Sequence, residues 1–241
     1  MKVTGGYTNY GEAIGILMLD TRFPRVPGDI GNARTFPFPV RYLTVRGASP
    51  ARVVLERDPA LLEPFIEGAR ELEAQGVKAI TTSCGFLAMF QETLASSVRV
   101  PVFASSLLQV PFLYGLFGRR GKAGILTARK ASLGGPHFEG CGIRDIPLAV
   151  AGMDECPEFT RVFLQWGDNP DGEAPMDLDL VERELTNAAR DLVSRDPDVE
   201  FLVLECTNMP PFRQAIQEAC GRPVFDIVTL AGFIYSGLSQ R

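Results

Sequence analysis

Histidine is almost absent from this sequence, and cysteine is sparse. With a single histidine, His137, and no histidine–cysteine cluster, a zinc site is not expected, and a convincing base for a serine or cysteine catalytic triad is lacking. Five cysteines, an odd number in 241 residues, are not typical of a disulfide framework. The sequence therefore predicts free thiols in a reducing compartment, and the stretch GGPHFEG predicts that His137 lies in a surface loop.

Long apolar runs and blocks of like charge are also missing. The longest apolar stretches, such as Leu107–Phe117, are far shorter than the roughly 20 residues of a membrane span. The formal net charge is −5, from 24 basic and 29 acidic residues, which argues against a nucleic-acid or anionic-membrane partner. Met1–Tyr10 is polar and lacks the apolar region of a signal peptide. These features predict a cytoplasmic globular protein.

Short apolar runs alternate with longer segments of helical period along the whole chain. Ala13–Leu19 and Val40–Val45 are typical of strands, and Pro59–Gln75 repeats its apolar residues on one face and stops at Gly76, as a helix does. The other predicted strands are Lys78–Ser83, Val100–Phe103, Gly124–Thr127, Asp145–Val150, Glu200–Glu205 and Pro223–Phe225; the other predicted helices are Phe86–Leu94, Leu107–Leu116, Cys156–Gln165, Leu178–Val193, Pro211–Ala219 and Ile227–Leu238. This alternation predicts an α/β fold with parallel sheets covered by helices.

The pattern of elements occurs twice. KAITTSCGF and EFLVLECTN align with Cys84 over Cys206 (206 − 84 = 122), and the tripeptide PVF recurs at the same offset, from 101–103 to 223–225. GIL opens the first strand of each pass. Two matches at one offset indicate an internal duplication. We therefore predict two pseudo-symmetric α/β lobes, residues 1–118 and 119–241, with the active site in the cleft between them and a C-terminal helix that could swap across.

Cys84 and Cys206 each follow the third strand of a lobe. Ligands of parallel α/β sheets bind beyond the carboxyl ends of the strands, and free backbone N–H groups at a helix start favour a thiolate and a bound carboxylate. Cysteine is also a common core residue, but the matched repeat positions favour a functional role. Two thiols facing each other across one cleft suit a reaction in which one removes a proton beside a carboxylate and the other returns it from the opposite face.

The motifs TSCGF and ECTNMP resemble the paired cysteine motifs of the aspartate/glutamate/hydantoin racemase superfamily. The resemblance implies a racemase or epimerase of a small carboxylate-bearing molecule (aspartate, glutamate or a hydantoin) that needs no cofactor and no metal, and it favours a homodimer. Cys84 and Cys206 would be its acid/base pair. Further residues at or beside positions that contact substrate in the superfamily are Asp20, Thr82, Ser83, Gly85, Thr127, Thr207 and Asn208.

The long loop after the first strand departs from the glutamate racemases. Arg22 and Arg25 on this loop could clamp a substrate carboxylate, with Asn32 as a weaker candidate. Asn208 stands where glutamate racemases have histidine, which leaves the substrate open. Two other functions also stay open. One is a cysteine-dependent cis–trans isomerase of an unsaturated diacid, as in the maleate-isomerising branch of the superfamily. The other is a non-enzymatic thiol-redox or ligand-binding protein whose two cysteines pair reversibly.

Overall fold

The computed structural model describes residues 5–165 and 175–238, in which the strands form two four-stranded parallel sheets. The spatial orders are β2-β1-β3-β4 and β6-β5-β7-β8. The strands are β1 Ile14–Leu19, β2 Val40–Val45, β3 Ala79–Thr82, β4 Val102–Phe103, β5 Lys122–Thr127, β6 Leu148–Gly152, β7 Val199–Leu204 and β8 Val224–Phe225. Helices flank both sheets, so the predicted α/β class with two similar lobes is confirmed.

The two sheets repeat each other in register. β3 pairs with β4 through Ile80 and Val102, and β7 pairs with β8 through Leu202 and Val224. The offset is 122 residues in both strands of the ladder (202 − 80 = 122; 224 − 102 = 122). It equals the offset between the two cysteines, which therefore occupy equivalent positions in the two lobes.

Helices and two short π-helical turns connect the strands. The helices are α1 Leu62–Ala74, α2 Gln91–Ser97, α3 Gln109–Leu116, α4 Gly135–Gly140, α5 Pro157–Phe159, α6 Leu178–Arg195, α7 Arg213–Cys220 and α8 Ile227–Gly237. Local sequence explains α6, the longest of these helices. The Asp177 side chain accepts a hydrogen bond from the Leu180 N–H at the start of the helix. Val181, Leu185 and Ala189 recur on its buried face. Among the helices that the structure describes, none has the length and apolar character needed to cross a bilayer.

Each sheet buries both faces, because successive strand residues alternate between two apolar clusters. In β1, Ile16 lies in a cluster with Leu230 of α8, whereas Leu17 lies in the cluster that contains the apolar face of α1. In β5, Ile125 lies in a cluster with Leu113 of α3. Helix α3, which follows the first sheet in the chain, thus packs on the second sheet, and α8 packs on the first.

Two local predictions were wrong. The predicted strand 145–150 begins only at Leu148, because Asp145 adopts a left-handed conformation (φ 54°) and Pro147 has no N–H to donate. GGPHFEG forms helix α4 instead of a surface loop, with Pro136 in its first turn, where a missing N–H costs little. His137 is fully buried there and packs edge-on against the Phe86 ring, with 5.2 Å between the ring centroids.

Leucines 113 and 116 of α3 provide a matched test of this packing. Leu113 is 3% exposed against the second sheet and Leu116 is 66% exposed. We expect Leu113→Ala to lower the free energy of unfolding by about 2–5 kcal/mol, through lost burial and the cavity left behind. Leu116→Ala should change it by less than about 0.5 kcal/mol. Urea denaturation followed by circular dichroism measures both values, and equal effects would contradict the packing described.

Candidate active site

A cavity of about 30 Å³ lies between the lobes, at the carboxyl ends of the strands. Its walls come from segments that follow β1, β2 and β3 in one lobe and β5, β6 and β7 in the other. The lining residues are Leu19, Thr21, Phe23, Arg25, Pro50, Val54, Ser83, Cys84, Gly85, Phe86, Ala128, Phe163, Leu164, Glu205, Cys206, Thr207 and Asn208. This edge is where parallel α/β sheets bind their ligands, so the cavity is the candidate active site.

Both predicted cysteines border the cavity, and each is 8% exposed. The two thiols share one interaction: each accepts a hydrogen bond from the backbone N–H two residues further on, from Phe86 for Cys84 and from Asn208 for Cys206. A 3-10 helix begins directly after Cys84, whereas a turn separates Cys206 from the 3-10 helix that begins at Pro210. The expected helix start is therefore present at the first cysteine and displaced at the second.

Burial dominates the ionisation of both thiols. It raises the pKa of Cys84 and of Cys206, the nearby Glu205 carboxylate raises both pKa values further, and the backbone N–H groups lower them by less. The backbone N–H groups thus favour the thiolate as expected, but burial and the Glu205 carboxylate outweigh them, so the pKa of each thiol lies above its ordinary value.

Glu205 is the acidic residue of the site that sequence reasoning missed. Its carboxyl group is fully buried, and one oxygen, Oε2, accepts a 2.7 Å hydrogen bond from the Thr127 hydroxyl. The Ala128 N–H also donates to the carboxylate. Burial raises the pKa of Glu205 to about 7. A carboxylate at the end of an apolar strand, directly before Cys206, was the signal that could have revealed it.

Gly85 is a point of close contact between the two lobes. A Cβ atom at this position would overlap the backbone carbonyl oxygen and the carboxyl Oε1 of Glu205 in the other lobe. Beside this contact, the Thr207 hydroxyl donates a 2.6 Å hydrogen bond to the Ser83 carbonyl oxygen. Gly85 is therefore required for the approach of the two strand ends, whereas the sequence indicated only a close approach to a bound carboxylate.

The loop after β1 reaches across to the second cysteine. Arg25 forms a 2.6 Å ion pair with the buried Asp29, and Asp29 accepts a 2.7 Å hydrogen bond from the Asn208 amide. The Cys206 thiol in turn donates to Asn208 Oδ1 at 3.6 Å. Arg25 thus connects to Cys206 through Asp29 and Asn208. Asn32, the weaker candidate on this loop, donates its amide to the Arg25 carbonyl oxygen.

The structure brings together seven of the predicted site residues around the cavity: Arg25, Ser83, Cys84, Gly85, Cys206, Thr207 and Asn208. Asn32 and four other predicted residues lie outside its lining. Asp20 and Arg22 are exposed, and Arg25 lines the cavity in place of Arg22. The buried Thr82 hydroxyl lies within hydrogen-bond distance of the Cys84 and Ala104 carbonyl oxygens (2.9 and 2.8 Å), and the Thr127 hydroxyl bonds to Glu205. These two threonines support neighbouring groups of the site.

Two π-helical turns cover the cavity from opposite lobes. Ala51–Glu56 contributes Val54, and Thr160–Leu164 contributes Phe163, whose ring packs edge-on against Phe23 at 5.1 Å between centroids. Such turns are rare and occur frequently at functional sites. The cavity leaves about 30 Å³ for the centres of water-sized molecules.

Two further kinds of site that cysteine and acidic side chains can form are a metal centre and a disulfide. No group of three or more histidine, cysteine or acidic side chains placed to hold a metal ion occurs among them. The five cysteines, all within the described ranges, are free thiols.

The architecture is similar to solved structures of aspartate, glutamate and allantoin racemases and of arylmalonate decarboxylase. An allantoin racemase from Klebsiella pneumoniae superposes with a TM-score of 0.63 at 14% identity, covering 93% of this chain and 86% of that one. A glutamate racemase from Bacillus anthracis gives 0.58 at 16% identity (93% and 80%), and unliganded arylmalonate decarboxylase gives 0.58 at 14% (93% and 91%). At such low identity the likeness shows the fold alone. No family model matches the sequence.

Closer relatives in sequence narrow the family. A dimethylsulfoniopropionate lyase from Durusdinium sp. clade D is 30% identical over 232 residues, covering 93% of this chain and 74% of the relative. Dimethylsulfoniopropionate lyase 7 from Emiliania huxleyi (strain CCMP1516) is 30% identical over 240 residues, covering 95% and 68%. The chain belongs to the dimethylsulfoniopropionate lyase family. The protein is thus an enzyme. It shares its fold with the racemases above, and its sequence relatives are named for a lyase reaction.

Gly85→Ala tests the contact between the lobes. The added methyl group has no space against Glu205, so we expect it to lower the free energy of unfolding by about 1–3 kcal/mol. Gly115→Ala is the matched control, because nothing lies within 4 Å of its Cβ position in α3. There the same change should raise stability by about 0.4–1 kcal/mol. Chemical denaturation compares the two, and a stabilising effect at Gly85 would refute the close approach.

Proposed function

We propose that this protein is a cofactor-independent lyase that cleaves dimethylsulfoniopropionate, or a close sulfonium analogue, in the cavity between Cys84 and Cys206. The observation that carries the proposal is the cavity itself. Two thiols border it, and much of the remaining wall is apolar or aromatic. Membership of a family whose curated relatives are dimethylsulfoniopropionate lyases supports the same reaction.

The proposed reaction is a β-elimination. A thiolate removes a proton from the carbon next to the carboxylate, and the electron pair of that C–H bond forms a carbon–carbon double bond. The C–S bond to the sulfonium group breaks at the same time, and its electron pair leaves with the sulfur. The products are dimethyl sulfide, acrylate and the proton now held by the thiol. Because dimethyl sulfide leaves as a neutral molecule, the departing group needs no acid.

The aromatic wall fits a methylated cation. The Phe23, Phe86 and Phe163 side chains line the cavity, and a cation without N–H donors is attracted to the faces of such rings. The Arg25 guanidinium already lies over the Phe23 ring, 4.5 Å from its centroid, so Phe86 and Phe163 are the rings for a substrate cation. An amino-acid ammonium group brings three N–H donors that each need an acceptor. The phenyl and aliphatic part of the wall satisfies none of them and therefore suits a sulfonium group better than an ammonium group.

Arg25 is suited to hold the carboxylate of the substrate. Its guanidinium already bonds to Asp29 (2.6 Å) and to the Thr21 hydroxyl (2.8 Å), and its remaining N–H groups leave capacity for a carboxylate. A carboxylate bound there draws charge from the developing enediolate, which makes removal of the neighbouring proton easier.

The bound substrate also helps to form the thiolate. Burial and the charge of the nearby Glu205 carboxylate raise the pKa values of both thiols. A sulfonium group brings a positive charge next to the thiols, which lowers the thiol pKa values and favours deprotonation. Substrate binding and activation of the base are therefore coupled in this proposal.

A two-thiol racemase is the second candidate. The observation that favours it is the equivalent placement of Cys84 and Cys206, since racemisation needs a second thiol to return the proton whereas elimination does not. Both reactions share the first step, removal of a proton beside a carboxylate. They differ in what happens to the carbanion-like species that follows.

Release of dimethyl sulfide tests the lyase directly. We expect the purified protein to form equal amounts of dimethyl sulfide and acrylate from dimethylsulfoniopropionate, as measured by headspace gas chromatography and liquid chromatography. Cys84→Ala and Cys206→Ala should each lower kcat/KM, the variant that lacks the thiol base by about 100-fold or more. Cys220→Ala is the matched control, because this buried thiol lies in α7 outside the cavity lining, and it should keep activity within about twofold.

The alternatives give different results in the same preparation. Absence of dimethyl sulfide, together with racemisation of aspartate, glutamate or allantoin and deuterium uptake from D₂O, would replace the lyase by the racemase. Isomerisation of maleate with a thioether adduct on one cysteine would indicate the cis–trans isomerase. If none of these reactions occurs and a reversible Cys84–Cys206 disulfide forms, the protein is the thiol-redox protein.

Two arginines of the β1 loop separate the proposed carboxylate clamp from its predicted neighbour. We expect Arg25→Gln to raise KM for dimethylsulfoniopropionate at least tenfold, because the substrate carboxylate loses a charged partner. Arg22→Gln, at an exposed position outside the cavity, should leave KM within about twofold. Steady-state kinetics with thermal unfolding as a folding control decides between them. A larger effect at Arg22 would assign the clamp to that residue.

A further inference from the structure

Glu205 carries a carboxyl oxygen that is buried without a partner. Its Oε1 atom is shielded from solvent and makes no hydrogen bond within the described part of the chain, although Oε2 is bonded to Thr127. No lysine or arginine of the described residues forms an ion pair with this carboxylate. A buried charge without an ionic partner is costly. Glu205 lines the cavity, and its carboxylate is such a charge when it is ionised.

The other charges around the cavity are already balanced. Arg25 is paired with Asp29, and burial keeps the thiols of Cys84 and Cys206 neutral. Cys141, the other thiol whose pKa is raised by Glu205, is likewise protonated. The cavity therefore has one uncompensated negative charge whenever Glu205 is ionised, and much of its wall is apolar or aromatic. This combination is complementary to a cation.

We propose that Glu205 is the counter-ion of the methylated cationic group of the substrate, so that the site selects a zwitterion with its carboxylate at Arg25 and its cation at Glu205. The inference rests on the proposed function, because it names the residue that binds the cationic end of the same substrate. It makes Glu205 a specificity-determining residue. A neutral molecule of the same shape would leave the ionised carboxylate without a partner and bind more weakly.

The ionisation of Glu205 gives the proposal a pH dependence. Burial raises its pKa to about 7, while the hydrogen bonds from Thr127 and Ala128 oppose that rise. A cation bound beside the carboxylate favours the ionised form. Below pH 7, cation binding must therefore release a proton from Glu205, and affinity for the cation should increase as the pH rises through about 7.

Two unreactive ligands that differ only in charge provide the test. 3-(Trimethylammonio)propionate carries a methylated cation at the required distance from its carboxylate, and 4,4-dimethylpentanoate has a neutral carbon in place of the nitrogen. Isothermal titration calorimetry of the wild-type protein at pH 8 should show at least tenfold tighter binding of the cationic ligand. At pH 6.5, titrations in buffers of different ionisation enthalpy should show proton release with the cationic ligand and none with the neutral one.

Glu205→Gln removes the charge while keeping the shape of the side chain. We expect this variant to lose the preference for the cationic ligand and the proton release. Glu200→Gln, the same change at the other end of β7 and outside the cavity lining, should retain both. The proton-release measurement on the wild-type protein does not depend on a variant, so it decides the matter even if Glu205→Gln fails to fold.

The outcomes separate this inference from the proposed reaction. Charge preference and proton release without any formation of dimethyl sulfide would support the cation site and refute the lyase. Lyase activity with equal affinity for the two ligands, or with a preference that survives in Glu205→Gln, would refute the counter-ion role and leave the lyase standing. Failure of the wild-type protein to bind the cationic ligand would also overturn the counter-ion role.

Discussion

The close approach of two strand ends, one from each lobe, is the constraint on which the site depends. The backbone after β3 passes so near the end of β7 that Gly85 has no space for a side chain against Glu205. The hydrogen bond from Thr207 to the Ser83 carbonyl oxygen joins the same two segments. Because the two segments also carry the cysteines, this contact places both thiols at one small cavity. Burial at this contact raises the pKa values of Cys84, Cys206 and Glu205.

Burial makes the polar groups of the site dependent on one another. Thr127 bonds to one oxygen of Glu205, and Asp29 joins Arg25 to Asn208 and so to the Cys206 thiol. Each of these groups would be costly to bury alone. The free oxygen of Glu205 is the exception, and a cationic ligand is the partner that completes the balance in our proposal. In our proposal the two thiols supply the base, and the buried acid next to the second thiol selects the substrate.

Local patterns made much of the fold predictable. The alternation of apolar runs and helical periods predicted nearly every strand and the long helices, because periodicity reflects which face is buried. The repeated motif around Cys84 and Cys206 predicted two equivalent thiols, since a duplication is visible in the letters alone. His137 and the π-helical turn at Ala51–Glu56 were not predictable in this way, because their conformations depend on packing against residues far along the chain.

The sequence by itself determined the α/β class, the duplication and the equivalence of the two cysteines, because these follow from short-range patterns and from a repeat. Tertiary structure alone decided which loop arginine faces the cavity, that Asp29 bridges to Asn208, and that Glu205 is buried beside both thiols. It also decided the direction of the thiol pKa shifts. Glu205 acts on the pKa of Cys84 from 121 positions along the chain (205 − 84 = 121), and desolvation depends on the packing of both lobes, so no local pattern records either effect.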